Sequence, residues 1–218
     1  MSVSYNAFMT AESTRPRSAG RPREFDVDTA LDHAARVFRQ RGYHATSISD
    51  LGAAMQLTAG SIYKAFTDKR AVFMATLDRY SGQRRRLMAS QLAAEPTGRE
   101  KIRAMLQFYA DAAHGEEGRD GCLVVGSVVE LSTFDPELAA HVTGLLQQTQ
   151  DLLQALVEAG MADGSIAADT DPHAVTLTLL SVLEGLRVLG KCGRSRAEML
   201  SAADAAMAML RPAARQDR

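Results

Sequence analysis

The apolar residues of this chain recur at helical spacing, almost without interruption, from Phe25 onward. Leu31, Ala34, Ala35 and Phe38 begin the pattern at positions i, i+3, i+4 and i+7, which lie on one face of a helix. Leu, Ala and Met dominate an apolar content of 46%, aromatic residues make up 6%, and Trp is absent. This composition favours helices over sheets. Because no segment shows a strong strand pattern, we predict an all-α fold.

Capping residues and helix breakers divide the pattern into about nine helices. Asp28, Ser47 and Asp68 are placed to cap helix starts, and Asp135 and Asp171 each precede a proline that suits the first helical position. The predicted helices cover about 28–41, 47–55, 58–66, 68–86, 97–114, 121–132, 136–159, 172–189 and 195–210. We expect three parts: an arm at 1–24, a three-helix domain at 25–72 and a helical body at 73–218.

The charge of the chain is divided unevenly along its length. Residues 1–86 carry 14 Lys and Arg against 8 Asp and Glu, whereas residues 87–218 carry 11 against 18. A basic end followed by an acidic body indicates that only the N-terminal part meets a polyanion. The arm at 1–24 has no hydrophobic period and is predicted to be disordered in isolation. Its arginines either enter a narrow minor groove or belong to an ordinary solvated tail: Arg15, Arg17, Arg21 and Arg23.

The remaining composition excludes several classes of protein. No apolar run appears long enough to span a membrane, and the first twenty residues lack the apolar core of a secretory signal. Cys122 and Cys192 form neither a disulfide framework nor a metal-ligand spacing. We therefore expect a reduced, cytoplasmic protein with no membrane partner, no metal and no cofactor.

The stretch Thr46–Lys69 has the arrangement of a helix-turn-helix: two short capped helices joined by a three-residue turn. Four small residues at 58–61 open the second helix, so its first turn can approach a major groove closely. Tyr63 and Lys64 point away from the apolar side of that helix and leave a phenol and an ammonium for DNA. The alternative is a small helical bundle with ordinary surface lysines.

Residues 25–73 resemble the N-terminal domain of TetR-family transcription regulators, and the run GSIYKAFTDK is specific to that family. The positions that carry the resemblance are Ala30, Ala35, Phe38, Gly42, Tyr43, Thr46, Ile48, Leu51, Ala53, Gly60, Ile62, Tyr63, Phe66 and Lys69. The resemblance implies that Thr46, Ser61, Tyr63, Lys64 and Lys69 touch DNA, and we assign Lys69 to a phosphate. With the neighbouring small and capping residues, the expected DNA-binding set is Thr46, Ser47, Thr58, Ala59, Gly60, Ser61, Tyr63, Lys64 and Lys69.

Two positions depart from the family pattern. Gln56 stands where the family usually has glycine, so we expect some backbone strain in the turn. Ala65 stands where an aromatic residue is common, which removes one possible backbone contact. Because of these two departures, the sequence does not predict which bases the protein recognises.

The resemblance also implies a homodimer on a palindromic double-stranded operator, because paired reading helices contact two half-sites. The helix at 172–189 is apolar nearly all round, and the helix at 195–210 is rich in Ala, Met and Leu. We expect these two helices to form the dimer interface, with Glu184 and Arg187 paired inside it. Burial of the helix at 172–189 within its own chain is the alternative.

Family members usually hold a small-molecule effector between the middle helices of the body. A mostly apolar pocket with a few polar groups suits a small, largely apolar ligand. Met or aromatic residues at helical spacing are more often plain core, which is the alternative for each of them. The expected lining is Met105, Phe108, Tyr109, Cys122, Val125, Val129, Leu146, Gln150 and Leu153.

Cys122 lies in the segment GCLVVGSVVEL, which resembles a TetR subgroup with a Gly/Lys-Cys-Leu start to the sixth helix. In some members of that subgroup the cysteine senses electrophiles or oxidants. A helix N-terminus stabilises a thiolate and so favours reactivity. The alternative is a small buried apolar residue at a helix start.

Two further classes compete with a ligand-responsive repressor. In an enzyme, Cys122 with His114 or His141 would supply a nucleophile and a base, but no third orienting group or hydrolase motif accompanies them. We predict no enzymatic activity. A DNA-binding protein without an effector is the other alternative, and a body without an internal cavity would favour it.

Overall fold

The computed structural model describes residues 25–131 and 135–212, which are helical with no strand. The four arginines of the predicted arm lie outside the described residues. The helices are α1 (Val27–Arg41), α2 (Ile48–Met55), α3 (Ala59–Ala65), α4 (Lys69–Leu92), α5 (Gly98–Asp111), α6 (Gly115–Asp120), α7 (Leu123–Leu131), α8 (Pro136–Ala162), α9 (Pro172–Lys191) and α10 (Arg196–Ala208).

The all-α prediction is confirmed, and each predicted helix is present. One short helix in the described residues, α6, was not predicted, because its six residues contain no apolar repeat. The helix predicted to reach residue 114 is α5, which ends at Asp111, shortly before α6 begins at Gly115. Ser47 and Asp50 form the expected capping box of α2. The cap predicted for α1 was wrong, since Asp26 rather than Asp28 precedes the helix and accepts the first hydrogen bond.

The turn between α2 and α3 has the left-handed residue that the sequence indicated. Gln56 has φ 57° and ψ 40°, and within the described residues no other non-glycine has a positive φ. Gly52 packs directly against this turn: a Cβ added there would lie 2.8 Å from the carbonyl oxygen of Leu57. The missing side chain of Gly52 therefore allows the two short helices to approach each other.

Two hydrophobic clusters divide the molecule. The head core joins α1, α2, α3 and the start of α4 to α7 and the first half of α8, whereas the body core joins the end of α4 to α5, α9, α10 and the rest of α8. Phe73 and Leu77 of α4 belong to the head core, and Met88 and Leu92 of α4 belong to the body core. The boundary predicted between residues 72 and 73 thus falls inside a continuous helix that connects both cores.

α9 is a core helix of the body. Its length and composition alone meet the test for a membrane span, so the expectation that no run is that long was wrong. It packs Leu179, Leu183 and Leu186 into the body core. It also buries the charged side chain of Arg187, which is 2% exposed. One side of α9 remains uncovered in the single chain.

Candidate functional site

The start of α3 forms an exposed surface of small and polar residues. Thr58, Ala59, Gly60 and Lys64 are exposed, and Tyr63 is 54% exposed although it is aromatic. Ile62 of the same helix is fully buried in the head core, which fixes the direction in which the others face. The geometry therefore presents a phenol, an ammonium and a first turn of small residues on one surface.

Within the described residues, no packing contact requires a glycine at position 60. A Cβ added there would find its nearest atom, the Thr58 hydroxyl oxygen, 3.9 Å away. Thr58 caps α3 by accepting a hydrogen bond from the Ser61 amide at 3.2 Å. The space beside Gly60 is thus open toward solvent, as a helix that enters a DNA groove requires.

Two residues of the predicted DNA-binding set face the protein instead. Thr46 is 1% exposed and its hydroxyl donates to the Gly42 carbonyl at 2.6 Å, so the hydroxyl is paired within the chain and the predicted DNA contact of Thr46 stays a prediction. The Lys69 ammonium donates to the carbonyls of Tyr43 and Thr46 at 2.9 and 3.0 Å and lies 4.4 Å from the Tyr43 ring centre. Lys69 therefore fixes the loop between α1 and α2 to the start of α4.

The head is tied to the body through α6 and α7. Arg39 of α1 donates to the Gly121 carbonyl at 2.7 Å and to the Glu117 carbonyl at 2.8 Å. Gln40 reaches the Asp120 carboxylate at 2.9 Å. Sequence reasoning missed these residues, because long polar side chains on α1 look like ordinary surface groups.

A second tie comes from α7. The Glu130 carboxylate accepts from the Tyr43 and His44 amides at 2.8 and 2.7 Å, and so holds the loop that follows α1. The α1–α2 loop is therefore held from two sides, by Glu130 of α7 and by Lys69 of α4. α6 and α7 therefore contact the helix and the loop that lead to α2 and α3.

The body contains a cavity of about 60 Å³ between α4, α5, α8 and α9. Of the predicted lining, Phe108, Tyr109, Cys122 and Leu146 do contact it. The sequence did not predict the contributions of α4 and α9, which supply most of the polar wall. The additional lining residues are Tyr80, Ser81, Arg84, Arg85, Met88, Val124, Leu145, Thr149 and Glu184.

The remaining predicted lining residues lie elsewhere. Met105 and Leu153 are fully buried in the body core, and Val129 is 80% exposed on the outer side of α7. Val125 and Gln150 are half-buried and do not border the cavity. These assignments were wrong because helical spacing shows which residues share a face, whereas it does not show which neighbour that face meets.

Arg84 is the central polar residue of the cavity. Its Nη1 donates to the Glu117 carboxylate at 3.0 Å, and its guanidinium carbon lies 4.8 Å from the Phe108 ring centre. Its Nη2 and the Tyr80 hydroxyl are buried and have no hydrogen-bond partner among the described residues. Burial raises the pKa of the Tyr80 phenol, so this group keeps its proton.

Glu184 and Arg187 do not form the pair that was predicted for the dimer interface. Arg187 donates to the carbonyls of Ala112 and Gly121 from within the core. Glu184 lines the cavity instead, and burial raises the pKa of its carboxyl to about 7 against the opposing charges of Arg187 and Arg84. At neutral pH this carboxyl is therefore close to half protonated.

Cys122 lies immediately before α7, where its carbonyl accepts the Gly126 amide at 3.0 Å. Its half-buried side chain borders the cavity. The adjacent carbonyl of Gly121 accepts hydrogen bonds from both Arg39 of the head and Arg187 of α9. The thiol thus lies at the junction of the cavity with the link to the head. Cys192, which follows α9, is exposed.

The outer side of α9 and the end of α10 carry large apolar residues that the single chain leaves exposed. Leu177, Val188 and Leu189 of α9 and Met209 after α10 are between 41% and 52% exposed. Contiguous exposed apolar surface of this kind marks an interaction site.

Two family models match the sequence. One, described as "Bacterial regulatory proteins, tetR family", matches residues 30–76. The other, described as "Tetracyclin repressor-like, C-terminal domain", matches residues 98–206. Together they cover both the head and the body.

Individual relatives agree with these matches. The chain is 30% identical over 200 residues to the HTH-type transcriptional repressor ComR of Escherichia coli K12, covering 89% of this chain and 94% of that protein. It is 25% identical over 166 residues to the repressor DhaR of Mycobacterium sp. GP1, with 76% and 82% covered. A solved cysteine-substituted variant of the TetR family regulator CifR, bound to 26-bp operator DNA, superposes with a TM-score of 0.79 at 32% identity, covering 86% and 98%.

Proposed function

Because the chain belongs to the TetR family of bacterial regulatory proteins, we propose that it is a homodimeric repressor that a small or electrophilic effector releases from a palindromic operator. Its family and relatives are DNA-binding transcription regulators and not enzymes. A protein of this kind meets its DNA in the cytoplasm.

The observation that carries the DNA-binding role is the exposed start of α3. We assign base or phosphate contacts to Tyr63, Lys64 and the first turn of α3, with Ser47 at the start of α2 beside them. Lys69 holds the loop through two of its donors, and its third donor remains in our proposal as a phosphate contact. The exposed apolar residues of α9 and α10 support a dimer that presents two such heads to successive turns of the duplex.

The cavity supports a ligand-responsive protein over an effector-independent one. A body that only stabilised the head would gain from filling this space, because unpaired buried donors such as the Tyr80 hydroxyl cost free energy. The cavity also borders the link to the head. An effector that displaces α7 moves the Gly121 carbonyl, and with it Arg39 and α1.

Cys122 offers a covalent route to the same displacement. Its sulfur would bond to an electrophilic carbon of the effector, and the thiol proton would pass to the effector or to water. Methyl vinyl ketone is a suitable probe, because it has few atoms and reacts with thiols. The Cys122 sulfur adds to its terminal vinyl carbon, and the proton goes to the carbon beside the carbonyl.

The test uses the full-length protein and the DNA upstream of its own gene. We expect binding that weakens steeply between about 50 and 200 mM salt, by roughly 1,000-fold or more if phosphates dominate. Methyl vinyl ketone should release the wild-type protein and Cys192→Ser alike, whereas Cys122→Ser should bind DNA and stay bound. Fluorescence anisotropy measures both binding and release.

Two results would contradict the proposal. The first is that no complex with the operator forms, or that its affinity does not change with salt, because the protein would then not recognise the operator mainly through phosphates. Full release of Cys122→Ser by methyl vinyl ketone would end the covalent role of Cys122. Mass spectrometry of the treated wild-type protein locates the adduct, which we expect on Cys122.

A further inference from the structure

The cavity beside α4 contains more hydrogen-bond donors than the protein satisfies. The hydroxyls of Tyr80 and Ser81 and the Nη2 of Arg84 are buried, and none has a hydrogen-bond partner within the described ranges 25–131 and 135–212. All three residues belong to α4 and border the same space. Buried polar groups are paired in most proteins, so three unpaired groups around one cavity indicate a missing partner.

The missing partner must be an acceptor. Arg84 can only donate, and the Tyr80 phenol, which is 9% exposed, keeps its proton because burial raises its pKa. A carbonyl oxygen accepts two hydrogen bonds, whereas an ammonium or a hydrocarbon accepts none. The donors therefore select ligands that carry a hydrogen-bond acceptor, and a carbonyl oxygen can satisfy two of them at once.

The charges around the cavity disfavour an anion. Arg84 is already paired with the Glu117 carboxylate at 3.0 Å, and the Glu184 carboxyl borders the cavity from α9. Arg187, the other cation near Glu184, is committed to backbone carbonyls. Tyr109 and Cys122 also face the space, and burial raises the pKa of the Tyr109 phenol, so it adds no charge. The remaining cation of the lining, Arg85, is exposed, so water screens its charge. A carboxylate ligand would therefore be a third acidic group beside the one buried guanidinium edge of Arg84 that is free.

The volume favours a small ligand. About 60 Å³ corresponds to room for roughly four to six water molecules, at about 10–15 Å³ each. The apolar part of the wall comes from Met88, Phe108, Leu145 and Leu146. A molecule of about five non-hydrogen atoms with one polar end suits this wall.

We infer that the cavity binds a small uncharged carbonyl compound, whose oxygen accepts hydrogen bonds from Tyr80 and Arg84. This inference rests on the proposed function in so far as it names the class of effector. Binding itself is independent of DNA, because the cavity lies in the body and can be titrated in the absence of an operator.

The experiment is calorimetric titration of the full-length protein with 2-butanone and with propionate. The two probes have nearly the same shape and differ in charge. We expect 2-butanone to bind more tightly than propionate, with an affinity that is the same at pH 6 and pH 8. Tyr80→Phe should weaken the binding of 2-butanone by about 5- to 10-fold, the usual effect of losing one hydrogen bond.

Tyr63→Phe is the matched control, because Tyr63 is exposed on α3 and is not among the residues that line the cavity. It should leave 2-butanone binding unchanged. Ser81→Ala is a second variant that removes an unpaired hydroxyl with little loss of volume. Circular dichroism checks that each variant folds.

Three outcomes would overturn the inference. The first is that 2-butanone does not bind the wild-type protein. The second is equal binding by wild type, Tyr80→Phe and Ser81→Ala. The third is tighter binding of propionate, with an affinity that rises as Glu184 gains its proton below about pH 7. If 2-butanone binds through Tyr80 but the operator complex persists, the inference stands and effector release fails.

Discussion

Gly52 and Gly60 lie on the two short helices of the head, and each lacks a side chain for a different reason. At Gly52 the Leu57 carbonyl oxygen occupies the position next to the missing Cβ, whereas the space beside Gly60 is open. Packing within the chain explains the first glycine. We attribute the second to close approach of an external partner.

We expect Gly52→Ala and Gly60→Ala to separate stability from DNA binding. A Cβ at Gly52 would lie 2.8 Å from a backbone oxygen, so that variant should lose about 1–3 kcal/mol of unfolding free energy. Gly60→Ala should keep or slightly raise stability, because Ala is the better helix former, and yet weaken the operator complex. Urea unfolding and operator titration measure the two effects.

The outcome for Gly60→Ala decides whether α3 approaches DNA closely. Operator affinity equal to that of the wild type would contradict our assignment of the first turn of α3 to the major groove. Loss of stability at Gly60→Ala would mean that its glycine serves the fold after all.

Residue-level prediction succeeded where the reason is local. Gln56 was expected in the left-handed turn, and Ser47 in a capping box, because both depend on a few neighbours in sequence. The burial of Thr46 was not predicted, because its hydroxyl turns to the Gly42 carbonyl and its position is set by the packing of the loop. Sequence spacing contains no information on that choice.

At the scale of elements, α6 is the short connection between the cavity and the head. The Asp120 carboxylate at the end of α6 accepts a hydrogen bond from Gln40 of α1, and the following Gly121 carbonyl accepts from Arg39 of α1. The Glu117 carboxylate accepts from Arg84 of the cavity, and the Gly121 carbonyl also accepts from Arg187. The sequence did not predict α6, because six residues without an apolar repeat give no periodic signal. Its role follows only from tertiary contacts.

We expect Arg39→Lys to weaken the response to effector more than it weakens DNA binding. Lys keeps the charge but has no forked donors to hold two carbonyls at once. Operator affinity without effector should stay within about threefold, while the concentration of effector needed for release should rise by about tenfold, an energy of ordinary coupling size. Anisotropy with methyl vinyl ketone measures both quantities.

Arg36→Lys is the control on the same helix, since Arg36 is exposed. It should behave as the wild type in both measurements. If Arg39→Lys also releases as the wild type does, signal transfer does not pass through the contact between α1 and Gly121, and the Glu130 tie on α7 becomes the route to test.

At the scale of the whole molecule, the helical pattern predicted the architecture and left the cavity largely undetermined. Period and caps locate helices, and the specific run at the start of α3 locates the head. The polar wall was missed for two reasons. Arg84 on α4 resembles a surface residue in the sequence and is covered only when other helices pack around it, and the apolar spacing that places Tyr80 on the inner side of α4 does not show that its hydroxyl borders a cavity. Glu184 was assigned to the wrong interface for the first of these reasons.

The uncovered side of α9 leads to the last prediction. A single chain exposes Leu177, Val188 and Leu189 together, and a second copy would bury them in a four-helix interface with α10. Leu189→Glu introduces a charge into that surface near the end of α9, where burial against a second copy would be costly. We expect this variant to sediment as a monomer, with operator affinity lowered by at least about 100-fold, because one head contacts only one half-site.

Leu87→Glu provides a matched control, because Leu87 is 62% exposed but lies on α4, away from α9 and α10. It should remain a dimer and bind the operator as the wild type does. A dimeric Leu189→Glu variant would place the interface elsewhere, and the exposed Val129 on α7 would be the next surface to test. A monomer that still bound the full operator tightly would instead remove the requirement that two heads act together, because affinity would then not depend on their spacing.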